Sequence, residues 1–317
     1  RMRILVTGAN GSVGRELVPG LLARGHELAG LDRELGALAP LAGPRLKLHR
    51  GLVEDREALA RAVRGAEAVV HLAWSFSEAP LALLEVDLRG HQLLLDACRA
   101  EGVRHLVYAS SAVVYGRPRR LPVDEDHPLD VLEARKPAYA LAKEAAEKLA
   151  LLAAGSGGPA ATLLRFWWAF GEEISGRHLR EMLAAASAGE RLRVPSGCGG
   201  SFLTLEDLSR AVEAVLARPP ARSEVLNLAS AYVGWDEVAR LAAEVAGSRA
   251  GVEVVPRAVF DGAAFLAERW ELDTRRARER LGGASPDPAA VRGGLARAMG
   301  ATWRRMTAAP GAGGGAP

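Results

Sequence analysis

"RILVTGANGSVGRELVPGLLA", residues 3–23, is the stretch whose reading decides the fold. It opens with a short apolar run, Ile4 to Val6, that stops at a glycine. A helical pattern takes over from Val13 to Ala23. Between the two, Gly8, Gly11 and Gly14 stand three residues apart. A turn so poor in side chains lets backbone come close to a bulky anion. The helix that follows offers unpaired N–H groups and the positive end of its dipole. In a chain with 35 glycines a bare tight turn is the competing reading. The strand before it and the helix after it favour a pyrophosphate cradle formed by Gly8, Asn10, Gly11, Ser12, Val13 and Gly14.

The same alternation continues outward. "HELAGLD", "EAVVHLAW", "VRHLVYASS" and "ATLLRFWWAF" read as strands, ending at residues 32, 74, 111 and 170. "REALARAV", "PLALLEVDLRGHQLLLDACRA" and "PAYALAKEAAEKLALLAA" read as helices, starting at residues 56, 80 and 137. Strands that are apolar throughout, separated by helices, predict a parallel sheet covered on both faces: an α/β, doubly wound fold. Past about residue 172 the pattern loosens. Helices are expected at 178–188, 205–217, 235–246 and 289–306, and short strands near 191–194 and 225–229. The expected organisation is a dinucleotide-binding domain at 1–171, a smaller substrate-binding lobe at 172–307 with segments returning to the sheet, and a disordered tail at 308–317, rich in Gly, Pro and Ala.

Composition narrows the class. The chain has 317 residues, 49% of them apolar and 25% charged, with a net charge of +3. Acids and bases are interleaved, so no nucleic-acid footprint or anionic-membrane patch is expected. No apolar run approaches the ~18 residues a spanning helix needs. The chain enters its first strand at once, as expected of one with no secretory leader. Two distant cysteines, Cys98 and Cys198, fit a reducing compartment, taken as the cytoplasm. They make no metal spacing, the histidines have no partner spacing, and His71 falls inside a buried strand; no metal site is expected.

The second strand ends at Asp32, whose carboxylate would bind both hydroxyls of an adenosine ribose and repel a 2′-phosphate. That favours NAD. Arg33 follows directly and would counter the repulsion, which leaves NADP open. In "PAYALAKEAAEKLA" Tyr139 and Lys143 are four residues apart, one helical turn on one face. A free Tyr has a pKa near ~10. A nearby ammonium and a positive nicotinamide would lower it and fit Tyr139 for proton exchange with a substrate hydroxyl. Ser111, at a strand end with Ser110 beside it, would offer the opposing hydroxyl.

With these residues in place, the sequence resembles the extended short-chain dehydrogenase/reductases, in particular the NAD-dependent epimerase/dehydratase family, from about residue 2 to 283. "TGANGSVG", "VVHLAW", "SSAVVYG", "YALAK" and "LLRFWWAFG" follow the family's order. "VDLRGHQLLLDAC" is similar to its N-x-x-G-T helix, with Asp87 and His91 in place of Asn and Thr. "FLTLEDLSRAVEAVL", "LNLASAYVGWDEVARLAAEVAG" and "LDTRRARERLGG" resemble later landmarks. The resemblance implies a Rossmann fold, bound NAD(P), and a Ser/Tyr/Lys site carried by Ser111, Tyr139 and Lys143. It implies cofactor contacts at Leu72, Ala73 and Trp74, and at Leu52 and Val53, where the family's adenine-contacting aspartate is replaced. It also implies a homodimer through the helices at 82–100 and 137–154. Ala112 and Val113 stand where 4,6-dehydratases carry Asp-Glu, which disfavours elimination of water. Gly200 stands where an arginine often meets a sugar-nucleotide diphosphate.

"RFWWAFGEE", residues 165–173, adds a question about substrate. Trp168 replaces an asparagine of the family pattern. Strand alternation would put Phe166, Trp168 and Phe170 on one face. Phe166 and Trp167 read as core. Trp168 and Phe170, with Trp74 and Ser111, read as lining a substrate cleft, where Phe76 also falls. Two enzymatic readings follow: a nucleotide-sugar 4-epimerase, or a ketoreductase or dehydrogenase on a non-nucleotide small molecule, which Gly200 and Trp168 favour. A non-catalytic NAD(P)-binding sensor is a third.

Overall fold

The computed structural model describes residues 1–77, 79–172, 176–283 and 287–308. The expected tail lies outside these from residue 309 onward. The chain divides into two compact units. The first is Arg1–Trp167, Leu205–Ala229 and Leu272–Ser285; the second is Trp168–Thr204, Ser230–Glu271 and Pro286–Pro317.

The first unit is built on strands β1 (Arg3–Thr7), β2 (Glu27–Asp32), β3 (Leu46–Arg50), β4 (Ala68–His71), β5 (His105–Ala109) and β6 (Ala160–Phe166), with a seventh, Glu224–Leu228. All pair in parallel, in the order β3, β2, β1, β4, β5, β6, then Glu224–Leu228. Helices α1 (Ser12–Ala23), α2 (Arg56–Val63), α3 (Pro80–Ala82), α4 (Arg89–Glu101) and α5 (Pro137–Gly155) connect them. The sequence order reverses between β1 and β4, and doubly wound sheets take their ligands outside the carboxyl ends of the strands at such a point. The inner strands are buried on both faces: Ile4, Leu5, Val69, Val70, Leu106, Leu163 and Leu164 are all at most 1% exposed. That burial is why they read as unbroken apolar runs.

Sequence reading missed β3 and the true shape of the helix from Pro80, among other elements. β3 lies at the sheet edge, and its exposed Lys47 leaves "LKLHR" without an apolar run. The stretch predicted as one helix from Pro80 widens into a π-helix over Leu83–Leu88 between α3 and α4, with Asp87 buried inside it.

In the second unit Gly199–Thr204 pairs with Ala231–Gly234, Arg269–Trp270 and Ala169–Phe170, and Leu192–Pro195 pairs with Val252–Val255. Helices Arg177–Ser187, Trp235–Val245 and Pro288–Thr307 accompany them, and Phe170, Phe202, Trp235, Leu295 and Met299 share one core. Each unit buries one free cysteine, Cys98 in the first and Cys198 in the second.

The aromatic run corrects an expectation. β6 ends at Phe166, and Trp168 has a φ of 37°, so strand alternation does not continue through it. Phe170 is 3% exposed in the second unit's core and is no cleft residue. Trp168 packs against the same core, stacked on Phe202 at 5.7 Å and edge-on to Trp235 at 5.1 Å. A Cβ at Gly200 would stand 2.4 Å from the Trp168 ring. The two departures at Trp168 and Gly200 are therefore one packing contact: the indole occupies the space that a side chain at residue 200 would need.

Candidate active site

The glycine turn leaves β1 through Gly8, whose φ is +67° and whose added Cβ would stand 2.7 Å from the Ala73 backbone nitrogen. Gly14 is tighter still, with a Cβ 2.3 Å from the Ala9 carbonyl oxygen. Glycine at these points lets the turn fold against the segment after β4 and lets α1 start close to it. Gly11 is exposed and caps α1 without a side chain, and the first turn, with Ser12 and Val13, carries no acid. By contrast the Asp55 carboxylate accepts the first N–H groups of α2. The start of α1 thus keeps its positive end for an anion.

Asp32, at the end of β2, accepts the Asn10 N–H at 2.8 Å and the Glu34 N–H at 3.3 Å. The Asn10 side-chain oxygen accepts the Ala37 N–H at 3.1 Å. These bonds tie turn and carboxylate into one edge. Arg33 is exposed beside it, Leu52 is 46% exposed after β3, and Val53 packs inward against the first unit's core. After β4, the Leu72 N–H bonds to the Thr7 carbonyl at 3.1 Å and sets Ala73 against Gly8. A compact glycine turn, an uncapped helix start and a carboxylate at the second strand's end fit a dinucleotide.

Ser111 follows β5, and its Oγ accepts the Val113 N–H at 3.2 Å. Tyr139 lies close enough to Ser111 for the serine hydroxyl to favour its ionised form. Lys143, one turn further along α5, is 3% exposed; it donates to the Ala109 carbonyl at 2.9 Å, and its Nζ sits 3.7 Å from the centre of the Trp74 ring. Tyr108 lies on another side, 4.8 Å from Nζ to ring centre. Burial lowers Lys143 to about 7, with Asp87 and Glu147 pulling it back up. Burial also raises Tyr139, with Ser111 opposing the rise and the Asp87 charge adding to it. The chain's own residues do not give the lowering of Tyr139 that the sequence predicts: burial is the largest influence on it and acts the other way.

Sequence reasoning missed the supports. Ser110 donates to Glu147 at 2.5 Å, and Glu147 is held by Arg165 at 2.9 and 2.6 Å, all buried. Asp87 accepts both the Ser75 N–H, at 2.7 Å, and its hydroxyl, at 2.6 Å. His71 is buried and bonded to the Thr7 hydroxyl at 2.6 Å, and burial holds it well below its ordinary pKa, as suits a structural residue. The motif positions Asp87 and Arg165 were visible in the sequence; their partners were not.

A family model described as "NAD dependent epimerase/dehydratase family" matches residues 4–229. A UDP-glucose 4-epimerase of Corynebacterium glutamicum is 28% identical over 306 residues, 89% of this chain and 90% of that protein. One of Lactobacillus helveticus is 30% identical over 183 residues, 55% of this chain and 54% of that protein. The solved structure of MoeE5 in complex with UDP-glucose and NAD is 27% identical, covers 96% of this chain and 100% of that chain, and superposes with a TM-score of 0.74.

Proposed function

The chain belongs to the NAD dependent epimerase/dehydratase family, and from that premise we propose that it is a nucleotide-sugar 4-epimerase that uses NAD and acts on UDP-hexoses. The observation that carries the reading is the grouping of Ser111 at the carboxyl end of β5 with Tyr139, on whose ionisation it acts, and with Lys143 one turn along the tyrosine's helix, donating to the Ala109 carbonyl. The names of the relatives supply the nucleotide.

Bound NAD supplies a hydride acceptor that returns the hydride to the same carbon. The chain's residues do the rest. Gly8, Asn10, Gly11, Ser12, Val13 and Gly14 form the pyrophosphate cradle, and Asp32 takes the adenosine ribose hydroxyls. Leu52 and Val53 border the adenine; Leu72, Ala73 and Trp74 border the rest of the cofactor. Tyr139 accepts the proton of the sugar's C4 hydroxyl and later returns it. Ser111 donates to the same oxygen and holds it as the carbon turns planar. Lys143, once charged beside bound nucleotide, lowers Tyr139 toward the working pH. Exposed Leu81, Leu84, Leu141 and Leu152 on the Pro80–Glu101 and Pro137–Gly155 stretches support a homodimer through these helices. Buried free thiols support a cytoplasmic setting.

The test is interconversion of UDP-glucose and UDP-galactose, followed by the anomeric proton signals with no reductant added. Tyr139→Phe should lower turnover by about 10³-fold, within the range of acid–base catalysis, with NAD still bound. Full turnover in that variant removes the assignment. Net oxidation of added NADH by simple ketones, with no epimerisation, would favour the ketoreductase reading instead.

A further inference from the structure

The loop after β4 holds a ring that neither the core nor proton transfer uses. Phe76 is 69% exposed and has a φ of 56°. A bulky residue in the left-handed region is strained, and a ring left in water forfeits the gain of burial. Yet the position is held on both sides. Asp87, buried in the π-helical stretch, takes both donors of Ser75. The Ser75 hydroxyl oxygen accepts the Ser77 N–H at 3.2 Å, and the Ser77 hydroxyl oxygen accepts the Ala79 N–H at 3.1 Å. This ladder fixes the backbone around Phe76. The ring lies nearly parallel to that of Tyr139, 21° between planes and 6.2 Å between centres. Trp74, from the same loop, meets Tyr139 edge-on at 6.4 Å and carries Lys143 on its face. One loop thus flanks the acid–base tyrosine with a half-buried ring, Trp74, that carries Lys143 on its face, and an exposed ring, Phe76.

We propose that Phe76 is a sugar-binding residue that packs against the C–H face of the hexose whose hydroxyl Tyr139 serves; this rests on the nucleotide-sugar reading. A ring beside the acid–base group must meet whatever surrounds the reacting carbon. A pyranose offers an apolar C–H face there. An epimerase must grip its sugar in both configurations. Hydrogen bonds to the reacting hydroxyl read one configuration, whereas an apolar face has no preferred direction and holds either epimer. Phe76 supplies that kind of contact, and the Asp87–Ser75 clamp holds it in place.

The test compares the wild-type enzyme with Phe76→Ala and Phe76→Gly, using UDP-glucose, UDP-galactose and UDP alone. Glycine tolerates the φ of this position, so the Phe76→Gly variant should melt no lower than wild type and keeps a failure to fold from hiding the result. The KM for UDP-glucose and for UDP-galactose should rise together, about fivefold, the size of one aromatic contact. The thermal shift given by UDP alone should stay as in wild type. Unchanged KM values with UDP still binding overturn the proposal and leave the epimerase reading intact. A rise for one epimer only, or a rise matched by equal loss of UDP binding, also overturns it. Failure of the wild-type protein to bind UDP overturns both.

Discussion

In the first unit the rings of Trp74, Tyr108 and Tyr139 gather around an ammonium, with Lys143 Nζ 3.7 Å from the Trp74 ring centre. In the second, Trp168, Phe202 and Trp235 gather around one another, with centres 5.1 to 6.0 Å apart. A ring whose partner is another ring stabilises a core by area and shape. A ring whose partner is a buried charge also sets how readily that charge exists. What tells core from site here is the company a ring keeps; in a chain that is 5% aromatic, both groups look equally conspicuous in one dimension.

The contrast can be broken most sharply beneath the first unit's site. Arg165 and Glu147 are 5% and 2% exposed and bonded to each other twice. Arg165→Ala leaves a buried carboxylate unpaired and should cost about 3–5 kcal/mol in denaturant unfolding. A cost under about 1 kcal/mol, the level of a surface pair, would mean that the carboxylate finds solvent. In the second unit the corresponding probe is steric. Gly200→Ala drives a methyl into the Trp168 indole and should cost about 1–3 kcal/mol, the usual range for overpacking, while NAD and UDP affinity hold. Loss of UDP affinity at unchanged stability would return residue 200 to the ligand and Trp168 to the cleft.

A further effect, spread over pH rather than read at one pH, belongs to Lys143. Its folded pKa is lowered from 10.5 to about 7, so between those values the unfolded chain binds a proton that the folded chain does not. Stability of the nucleotide-free protein should therefore rise with pH across that window, and fall again toward pH 7 as the buried amine is charged. The slope from one proton is at most about 1.4 kcal/mol per pH unit. Lys143→Met should remove it, as read by urea midpoints at pH 7, 8 and 9 against wild type. Parallel curves for the two proteins would place the ammonium in solvent.

These residues also mark what a sequence can carry. Tyr139 and Lys143 were legible because helix geometry turns a spacing of four into a shared face. Gly8 and Gly14 were legible because a strand, a turn and a helix meet there in order. The parallel sheet was legible because burial on both faces leaves unbroken apolar runs; β3, at the edge, lacks that burial and left no such trace. The Asp87–Ser75 clamp spans twelve residues and depends on a local π-helical widening that no residue pattern announces. Trp168 and Gly200 are separated in sequence by two short strands and a helix, so each was read alone, the one as a ligand contact and the other as a loss. Only their shared volume explains both.

The two cysteines give each unit its own clock. Cys98 is 0% exposed, with its thiol pushed by burial to about 12, and Cys198 is 4% exposed, its thiol also raised by burial. Neither can meet a thiol reagent until the packing around it comes apart. In a single tube the rates at which the two are alkylated, separated by peptide mass, therefore time the opening of one core against the other. Adding NAD or UDP to that tube would reveal which half each ligand locks shut.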